Sequence, residues 1–511
     1  MNLLRAAASV SGMTLLSRIT GFIRDTLLAI LFGAGLTMDA FVVAFRIPNL
    51  LRRLFAEGAF SQAFVPVIGD YRARRGEEAT RELAGKVLGA LAVTLFLVTL
   101  AGIVAAPLVV YATASGFAAD AGKFQLTVAM VRICFPYILF VSLVAFAAGI
   151  LNTYGAFKGP AFTPVLLNLS FIGFALAVAP HLERPVIALA WAVFAGGLAQ
   201  LVFQIPFLRH AGMLARPRWA PRDEGVQRIL KLMAPAALGV SVAQLSLVIN
   251  TQIASHLGDG PVSWIYYADR LMEFPSALLG VALGTVILPS LVRHHASADS
   301  AAYSRLLDWG LRVTLLLAAP ATVALALLAV PVITTLFWHG DQFTRHDVIM
   351  TRHALIAYAV GLVGIILVKI LAPGFYARQN IRTPAKVAIV TLVVTQALNA
   401  LFVPFLRHAG LALSISIGAT FNALWLWILM RRSGHYRAEP GWGAFLVKLG
   451  VALYMMGGAL WYSMGSEASW FEIAAGARAL KLALVIAAGT AAYFGSLWVM
   501  GLRLADFSRH E

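Results

Sequence analysis

About fourteen long apolar runs constrain the fold of this chain more than any other feature of its sequence. They cover residues 11–33, 36–57, 84–112, 124–152, 160–180, 185–208, 227–256, 262–292, 305–338, 350–376, 383–405, 408–431, 442–464 and 475–503. Runs of about 20 apolar residues have the length that an α-helix needs to cross a bilayer. The 511 residues are 60% hydrophobic and only 12% charged, a surplus of apolar residues that no soluble core could bury. The sequence therefore predicts an all-α polytopic membrane protein with about fourteen transmembrane helices.

The net charge of +17 lies mostly in the short connectors between the apolar runs. Connectors rich in Lys and Arg, such as "YRARRGEEATREL" and "RRSGHYRAEP", alternate with poorer ones, such as "SGFAADAGK" and "HLGDGP". The positive-inside rule places the basic set in the cytoplasm, and an even number of helices then leaves both termini there. The amino terminus begins like a signal peptide, but Arg18 interrupts its apolar stretch, which then resumes. This pattern predicts a retained first helix.

The two halves of the chain share a weak internal similarity. Residues 42–68 align with residues 265–291, so that Arg46 pairs with Arg270 and, one gap later, Pro66 pairs with Pro289. Both segments have the same predicted orientation, as in transporters whose lobes are related by an axis along the membrane normal. We therefore predict an N-terminal lobe of six helices at 1–215, a C-terminal lobe of six helices at 225–435, and two additional helices at 440–505.

Three of the apolar runs carry polar and charged residues on one helical face. Residues three, four or seven positions apart share a face of a helix. Lipid rejects such faces, so we expect them to point towards a water-filled cavity. The residues are Ser17, Arg18, Arg24 and Asp25 in the first run, Asp39, Arg46, Asn49, Arg52, Arg53 and Glu57 in the second, and Asp269, Arg270 and Glu273 in the eighth.

Arginine dominates the first two of these runs, and lysine is absent from them. The guanidinium group keeps its charge and binds phosphate or carboxylate oxygens in a bidentate manner. The pattern therefore favours an anionic substrate. The alternative is mutual neutralisation, in which Asp25 pairs with Arg18 or Arg24, and Glu273 pairs with Arg270.

Motifs for catalysis and for ATP binding are missing from the sequence. It contains no GxxxxGK[ST] loop, no HExxH, no CxxC and no GxSxG. These motifs bind phosphates, bind metals or carry a catalytic nucleophile. We therefore predict a protein that is not an enzyme and that has no metal site and no cofactor. Transport would draw on the membrane potential, an ion gradient or the gradient of the substrate itself.

Four segments resemble the signatures of the MurJ (MviN) family: "SRITGFIRDTLLAILFGAG", "DAFVVAFRIPNLLRRLFAEGAFSQAFVPV", "YYADRLMEFP" and "GFYARQNIRTP". These bacterial lipid II flippases belong to the multidrug/oligosaccharidyl-lipid/polysaccharide exporter superfamily. The resemblance implies two pseudo-symmetric six-helix lobes around a central cationic cavity, with two further helices that form a groove for the lipid tail. It also implies transport of undecaprenyl-diphosphate disaccharide-pentapeptide from the cytoplasmic to the periplasmic leaflet of the inner membrane by alternating access.

The resemblance also implies roles for individual residues and partners. Arg18, Arg24, Arg52 and Arg270 match the family's cavity arginines and are expected to bind the diphosphate and head group. The expected gate and cavity-supporting residues are Ser17, Asp25, Asp39, Arg46, Asn49, Arg53, Glu57, Asp269 and Glu273. The expected partners are lipid II, membrane lipids and proteins of cell-wall synthesis and division, with no nucleic acid.

Three other functions remain open from the residues alone. The chain could export another polyprenyl-diphosphate glycan, or it could be a non-transporting scaffold for cell-wall synthases. A cation-coupled drug exporter is the third, and the arginine excess argues against it.

Overall fold

The structure, a computed structural model, describes the backbone of residues 3–52, 60–297 and 299–502, and their side chains apart from 3–11, 234–243 and 280–286. Apolar surroundings require every backbone polar group to be satisfied within its own segment, which favours helices. No strand occurs in these ranges. The helices are α1 Leu3–Phe32, α2 Leu36–Arg52, α3 Phe60–Val104, α4 Ala106–Ala114, α5 Ala121–Cys134, α6 Tyr137–Thr153, α7 Lys158–Ala177, α8 Ile187–His210, α9 Glu224–Ser255, α10 Pro261–Ala296, α11 Ser300–Leu327, α12 Ala329–Leu336, α13 Arg345–Tyr376, α14 Arg382–Leu406, α15 His408–Arg432, α16 Trp442–Met464 and α17 Ala475–Val499.

The prediction of an all-α membrane protein is confirmed. Ten helical stretches within the described ranges are long and apolar enough to cross a membrane. They include α3, the pair α5 and α6, and each of α13 to α17, whereas α1, α2, α9 and α10 are not among the ten. The total of fourteen transmembrane helices stays a prediction.

The chain divides into two compact units, Met1–Ser263 (unit 1) and Trp264–Glu511 (unit 2). Unit 1 includes α9 because this helix packs against α3 and α4. The division therefore falls one helix later in the chain than the gap between the predicted lobes at 1–215 and 225–435. The lobe boundaries themselves stay a prediction.

Aromatic residues of α3 and α6 fill a large part of the core of unit 1. The rings of Phe60 and Phe64 stack with centroids 4.9 Å apart, and Phe146 lies 5.2 Å from Phe64. All three side chains are buried. α3 is interrupted at Gly76, whose φ of 82° lies in the region that favours glycine. The long helix is thus two helical segments that meet at a kink.

Small residues bring α13 and α15 of unit 2 close together. A Cβ atom on Gly361 would lie 2.3 Å from Cα of Ser416, and one on Gly364 would lie 2.7 Å from Cα of Thr420. Small residues at such crossings let helix backbones approach closely in membrane proteins. α16 and α17 pack on each other, and the Tyr493 hydroxyl of α17 donates to the Leu316 carbonyl of α11 at 2.6 Å.

Candidate functional site

Arg24 lies in the C-terminal third of α1 and contacts three other side chains of unit 1. Its Nε and Nη2 atoms donate to Oδ1 of Asp25 at 2.9 and 2.7 Å. Its Nη1 atom donates to Oδ1 of Asn168 on α7 at 3.0 Å, and its guanidinium carbon lies 5.3 Å from the ring centroid of Phe171. Only 13% of the Arg24 side chain is exposed. The guanidinium therefore has a defined direction before any substrate binds.

Asn168 is itself held against α1. Its Nδ2 atom donates to the Ser17 carbonyl at 3.0 Å and to the Thr20 hydroxyl at 3.1 Å. A Cβ atom on Gly21 would lie 3.4 Å from the same Nδ2 atom, so glycine leaves room for the amide at this crossing. Each end of the Asn168 amide thus has a partner, which fixes which end faces Arg24.

Arg18 differs from Arg24 in its surroundings. Its side chain is exposed, and no hydrogen bond or ion pair joins it to the other described residues. The predicted set on α1 is therefore brought together only in part. Arg24 and the Ser17 carbonyl contact Asn168, and Asp25 pairs with Arg24, whereas Arg18 lies outside that cluster.

On α2, two of the predicted arginines, Arg46 and Arg52, donate to neutral side chains. Arg46 donates to the Thr251 hydroxyl of α9. Nε of Arg52 donates to Oδ1 of Asn49 at 3.0 Å, and these two residues are three positions apart on the same helix. The predicted Arg53 and Glu57 lie outside the described residues.

Asp39, at the start of α2, is fully buried and is held by groups from two other segments. Nζ of Lys123 lies 3.0 Å from its Oδ2 atom. The Gly260 N–H donates to Oδ2 at 2.8 Å, and the N–H and the hydroxyl of Ser263 each donate to Oδ1 at 2.8 Å. Lys123 also pairs with Asp259 at 2.7 Å. This network joins α2 to α5 and to residues 259–263 of unit 1.

The network changes the charge balance that the sequence indicates. Lysine is absent from α1 and α2, but Lys123 of α5 neutralises Asp39. The hydrogen-bond donors to Asp39 are Lys123, Gly260 and Ser263, which lie outside α1 and α2. Of the carboxylates on α1 and α2, Asp25 thus pairs with an arginine and Asp39 with a lysine.

In unit 2, the predicted residues lie on one stretch of α10. Nη1 of Arg270 donates to Oε2 of Glu273 at 2.7 Å, and the Arg270 guanidinium carbon lies 5.1 Å from the Tyr266 ring centroid. Asp269 is half-buried. The Arg270–Glu273 and Arg24–Asp25 pairs are the neutralising contacts that the sequence left open as an alternative. The Glu273 side chain is 44% exposed, so water can weaken its attraction to Arg270.

Several residues of these contacts were not singled out from the sequence, among them Asn168, Lys123 and Ser263. A signal existed for Asn168, because it is a polar residue inside an apolar run. Lys123 could have been noticed as a lysine at the end of an acidic connector. Ser263 carried no signal, because serine is unremarkable at the start of a helix.

The described part of the chain has no group of three or more His, Cys, Asp and Glu residues that could hold a metal ion. The chemistry available in these clusters is binding by guanidinium groups. Such groups suit an anion with several oxygen atoms.

The sequence matches one family model along most of its length. The model is described as "Lipid II flippase MurJ" and matches residues 28–475. A "Lipid II flippase MurJ" of Burkholderia cenocepacia is 54% identical over 514 residues, which cover 100% of this chain and 99% of the relative. A "Probable lipid II flippase MurJ" of Vibrio cholerae is 43% identical over 511 residues, covering 99% of this chain and 97% of the relative.

Two solved structures share the fold. "Lipid II flippase MurJ, inward closed conformation" superposes with a TM-score of 0.79 at 23% identity, covering 96% of this chain and 99% of the other. The inward-facing structure of a multidrug resistance MATE family transporter gives a TM-score of 0.66 at 16% identity, covering 84% of this chain and 98% of the other. At these identities, the superpositions establish the fold alone. The family model and the relatives establish the family, and this multi-pass membrane protein belongs to the MurJ family of lipid II flippases.

Proposed function

We propose that this chain is a flippase for lipid II, the undecaprenyl-diphosphate disaccharide-pentapeptide. It transfers this lipid from the cytoplasmic to the periplasmic leaflet by alternating access. Family membership over residues 28–475 supports the substrate class. The substrate carries a diphosphate, which is the kind of group that arginine side chains bind best.

The observation that carries the proposal is the excess of arginine over carboxylate on α1 and α2, together with the binding of Asp39 by a lysine of another helix. The ammonium group of Lys123 and three donors from residues 260–263 hold Asp39. Asp25, the other acidic residue of these two helices, pairs with Arg24. A positive charge of this kind inside a membrane protein is costly unless an anion binds to it.

Within this proposal, the arginines have different roles. Arg24, Arg52 and Arg270 bind the diphosphate, and Asn168 and Asn49 orient the first two without reducing their charge. Arg18 contacts the head group and, with Asp25 and Asp39, belongs to the gate. Ser17, Arg46, Asp269 and Glu273 support the cavity, as do Arg53 and Glu57, which lie outside the described residues.

The proposal includes a location and an energy source. The chain lies in the bacterial inner membrane with both termini in the cytoplasm, as the distribution of Lys and Arg predicts. It uses no cofactor and catalyses no reaction. The membrane potential or an ion gradient drives transport, since moving one charge through 100 mV yields about 2.3 kcal/mol. Proteins of cell-wall synthesis and division are its proposed partners.

Binding to the purified full-length chain tests the diphosphate role. Native mass spectrometry would compare retention of lipid II with retention of the corresponding monophosphate lipid. We expect wild type to prefer lipid II and Arg24→Ala to lose most of that preference. Arg222→Ala removes an exposed arginine from the connector before α9 and should behave as wild type. Equal preference in all three proteins would contradict the assignment of Arg24.

A further inference from the structure

A pocket of about 220 Å³ lies in unit 2, away from the residues discussed above. Three connectors contribute to it: the one between α10 and α11, the one after α13 and the one after α15. The residues that line it include His294, His295, Asp299, Tyr303, Arg378 and His435. Four of these six side chains, those of His294, His295, Arg378 and His435, carry or can acquire a positive charge.

The four basic side chains have no acceptor within the described ranges. No hydrogen bond or ion pair joins Arg378 or the rings of His294, His295 and His435 to another described group. Other arginines of unit 2 do have such partners. Nη2 of Arg352 lies 3.1 Å from Oε1 of Glu467, for example. The basic groups of the pocket therefore remain available to a ligand.

Asp299 is the one acidic residue among those that line the pocket, and its carboxylate caps a helix. Its Oδ1 atom accepts a hydrogen bond from the Ala302 N–H at 2.9 Å, at the start of α11. α11 is 28 residues long and directs the positive end of its dipole towards this cap. The Asp299 carboxylate thus faces the N-terminal end of α11, and the pocket keeps an excess of positive charge.

The wall of the pocket is formed before a ligand binds. Tyr303 is buried, and its hydroxyl donates to the Gly374 carbonyl of α13, which joins α11 to α13 beside the pocket. Ile287 and Leu291 of α10 belong to the same buried cluster as Leu306 and Leu307 of α11. Arg378 lies two residues after the end of α13 and His435 three residues after the end of α15, so packed helices position both residues at the pocket.

We propose that this pocket binds a phosphate group. Arginine and protonated histidine form charge-assisted hydrogen bonds with phosphate oxygens, and the space allows a small substituent on the phosphate. The three connectors belong to the basic set that the sequence predicts to face the cytoplasm. The phosphate can therefore come from the head group of an anionic membrane lipid or from a soluble cytoplasmic compound.

A ligand at this position joins the ends of three helices. It contacts α10 through His294, the end of α13 through Arg378 and the end of α15 through His435. The same α10 carries Asp269, Arg270 and Glu273 further towards its start. Phosphate binding would hold the C-terminal end of α10 against α13 and α15, so it would act on the helix that carries these residues. Binding itself does not depend on the proposed transport function.

Two probes distinguish the sources of the phosphate. The full-length chain in phosphatidylcholine nanodiscs is titrated with inorganic phosphate at constant ionic strength, and hydrogen exchange of residues 299–305 reports binding near the pocket. In the second arm, native mass spectrometry measures retention of phosphatidylglycerol from mixed phosphatidylcholine and phosphatidylglycerol vesicles. The variants are Arg378→Gln, His435→Gln and the control Arg432→Gln, which removes an exposed charge from the end of α15.

We expect Arg378→Gln to weaken binding of one probe at least tenfold, equivalent to about 1.4 kcal/mol. His435→Gln should weaken it less, and Arg432→Gln should leave it unchanged. An effect on inorganic phosphate would support a soluble ligand, and an effect confined to phosphatidylglycerol would support a lipid head group. If Arg378→Gln and Arg432→Gln behave alike with both probes, the proposal is wrong.

Discussion

Asn168 of α7 accepts a hydrogen bond from Nη1 of Arg24 on α1 at 3.0 Å. The same amide donates to the Ser17 carbonyl and to the Thr20 hydroxyl, so its oxygen faces the guanidinium. Asn168 is buried, and its side chain is neutral. It therefore orients the arginine without neutralising it, whereas Asp25 does both.

We expect Asn168→Ala to reduce the rate of lipid II transport about tenfold. A hydrogen bond to a charged group contributes about 1.5–3 kcal/mol, and each 1.36 kcal/mol in a barrier is tenfold in rate. The measurement is transport by purified chain in vesicles at matched protein amounts. Because Asn168 positions Arg24, the variant should also bind the diphosphate more weakly than wild type does.

Asn152→Ala is the matched control, because Asn152 is exposed at the end of α6. It should transport as wild type does. A transport rate for Asn168→Ala equal to that of Asn152→Ala would rule out the orienting role of Asn168.

A second prediction concerns the buried pair of Lys123 and Asp39. Removing one partner of a buried ion pair leaves an uncompensated charge, and Lys123→Met should destabilise the chain by about 3 kcal/mol. Thermal unfolding in detergent would measure this. Lys158→Met removes an exposed lysine of α7 and should have little effect.

The double variant Lys123→Met with Asp39→Asn separates the pair from its surroundings. We expect it to be less destabilised than the sum of the two single variants, since neither buried charge remains. Strict additivity would mean that the two side chains do not stabilise each other.

The sequence predicted the helices well and the partners of the charged residues only partly. Long apolar runs permit helices and little else in a membrane, so most runs correspond to a described helix. Spacing along one helix predicted that Arg270 and Glu273 would share a face, and they form a pair. It could not predict Lys123 beside Asp39, because 84 positions separate these residues and only helix packing brings them together.

A third prediction tests the crossing of α13 and α15. A methyl group on Gly361 would lie 2.3 Å from Cα of Ser416, a backbone atom that cannot move without shifting α15. Gly361→Ala should therefore lower stability by about 1–3 kcal/mol. Thermal unfolding of the purified chain would measure the loss.

Gly450→Ala on α16 provides the comparison, because nothing lies within 4 Å of its added Cβ atom. Alanine favours helix over glycine, so this variant should be neutral or slightly more stable. Equal stability of the two variants would show that α13 and α15 are not as close as described.

A fourth prediction concerns Asp223 in the connector before α9. Burial raises the pKa of this carboxyl, but the hydrogen bonds from Lys86 and from the Gly225 and Val226 N–H groups outweigh burial and lower the pKa below its ordinary value. A lowered pKa means that the ionised carboxylate stabilises the folded state above the unfolded pKa. This stabilisation disappears as the pH falls through the folded pKa, which lies below about 4.

Hydrogen exchange of the first turn of α9, corrected for intrinsic rates, would follow this loss. Wild type should lose protection on acidification below about pH 4. Asp223→Asn keeps a good helix cap but removes the charge. It should show weaker protection at pH 7 and a smaller change with pH. An identical pH profile in both proteins would exclude the contribution of the Asp223 charge.

The central claim is transport of lipid II, and its most direct test is the distribution of lipid II between leaflets in the cells that make this chain. After depletion of the chain, an enzyme that cleaves only outward-facing lipid II would be added externally. The cleaved lipid II measures the outward pool, and the protected lipid II measures the inward pool. The account predicts that the outward pool collapses, that the inward pool grows, and that wild type but not Arg24→Ala restores both. An unchanged outward pool with continued cell-wall synthesis would contradict it.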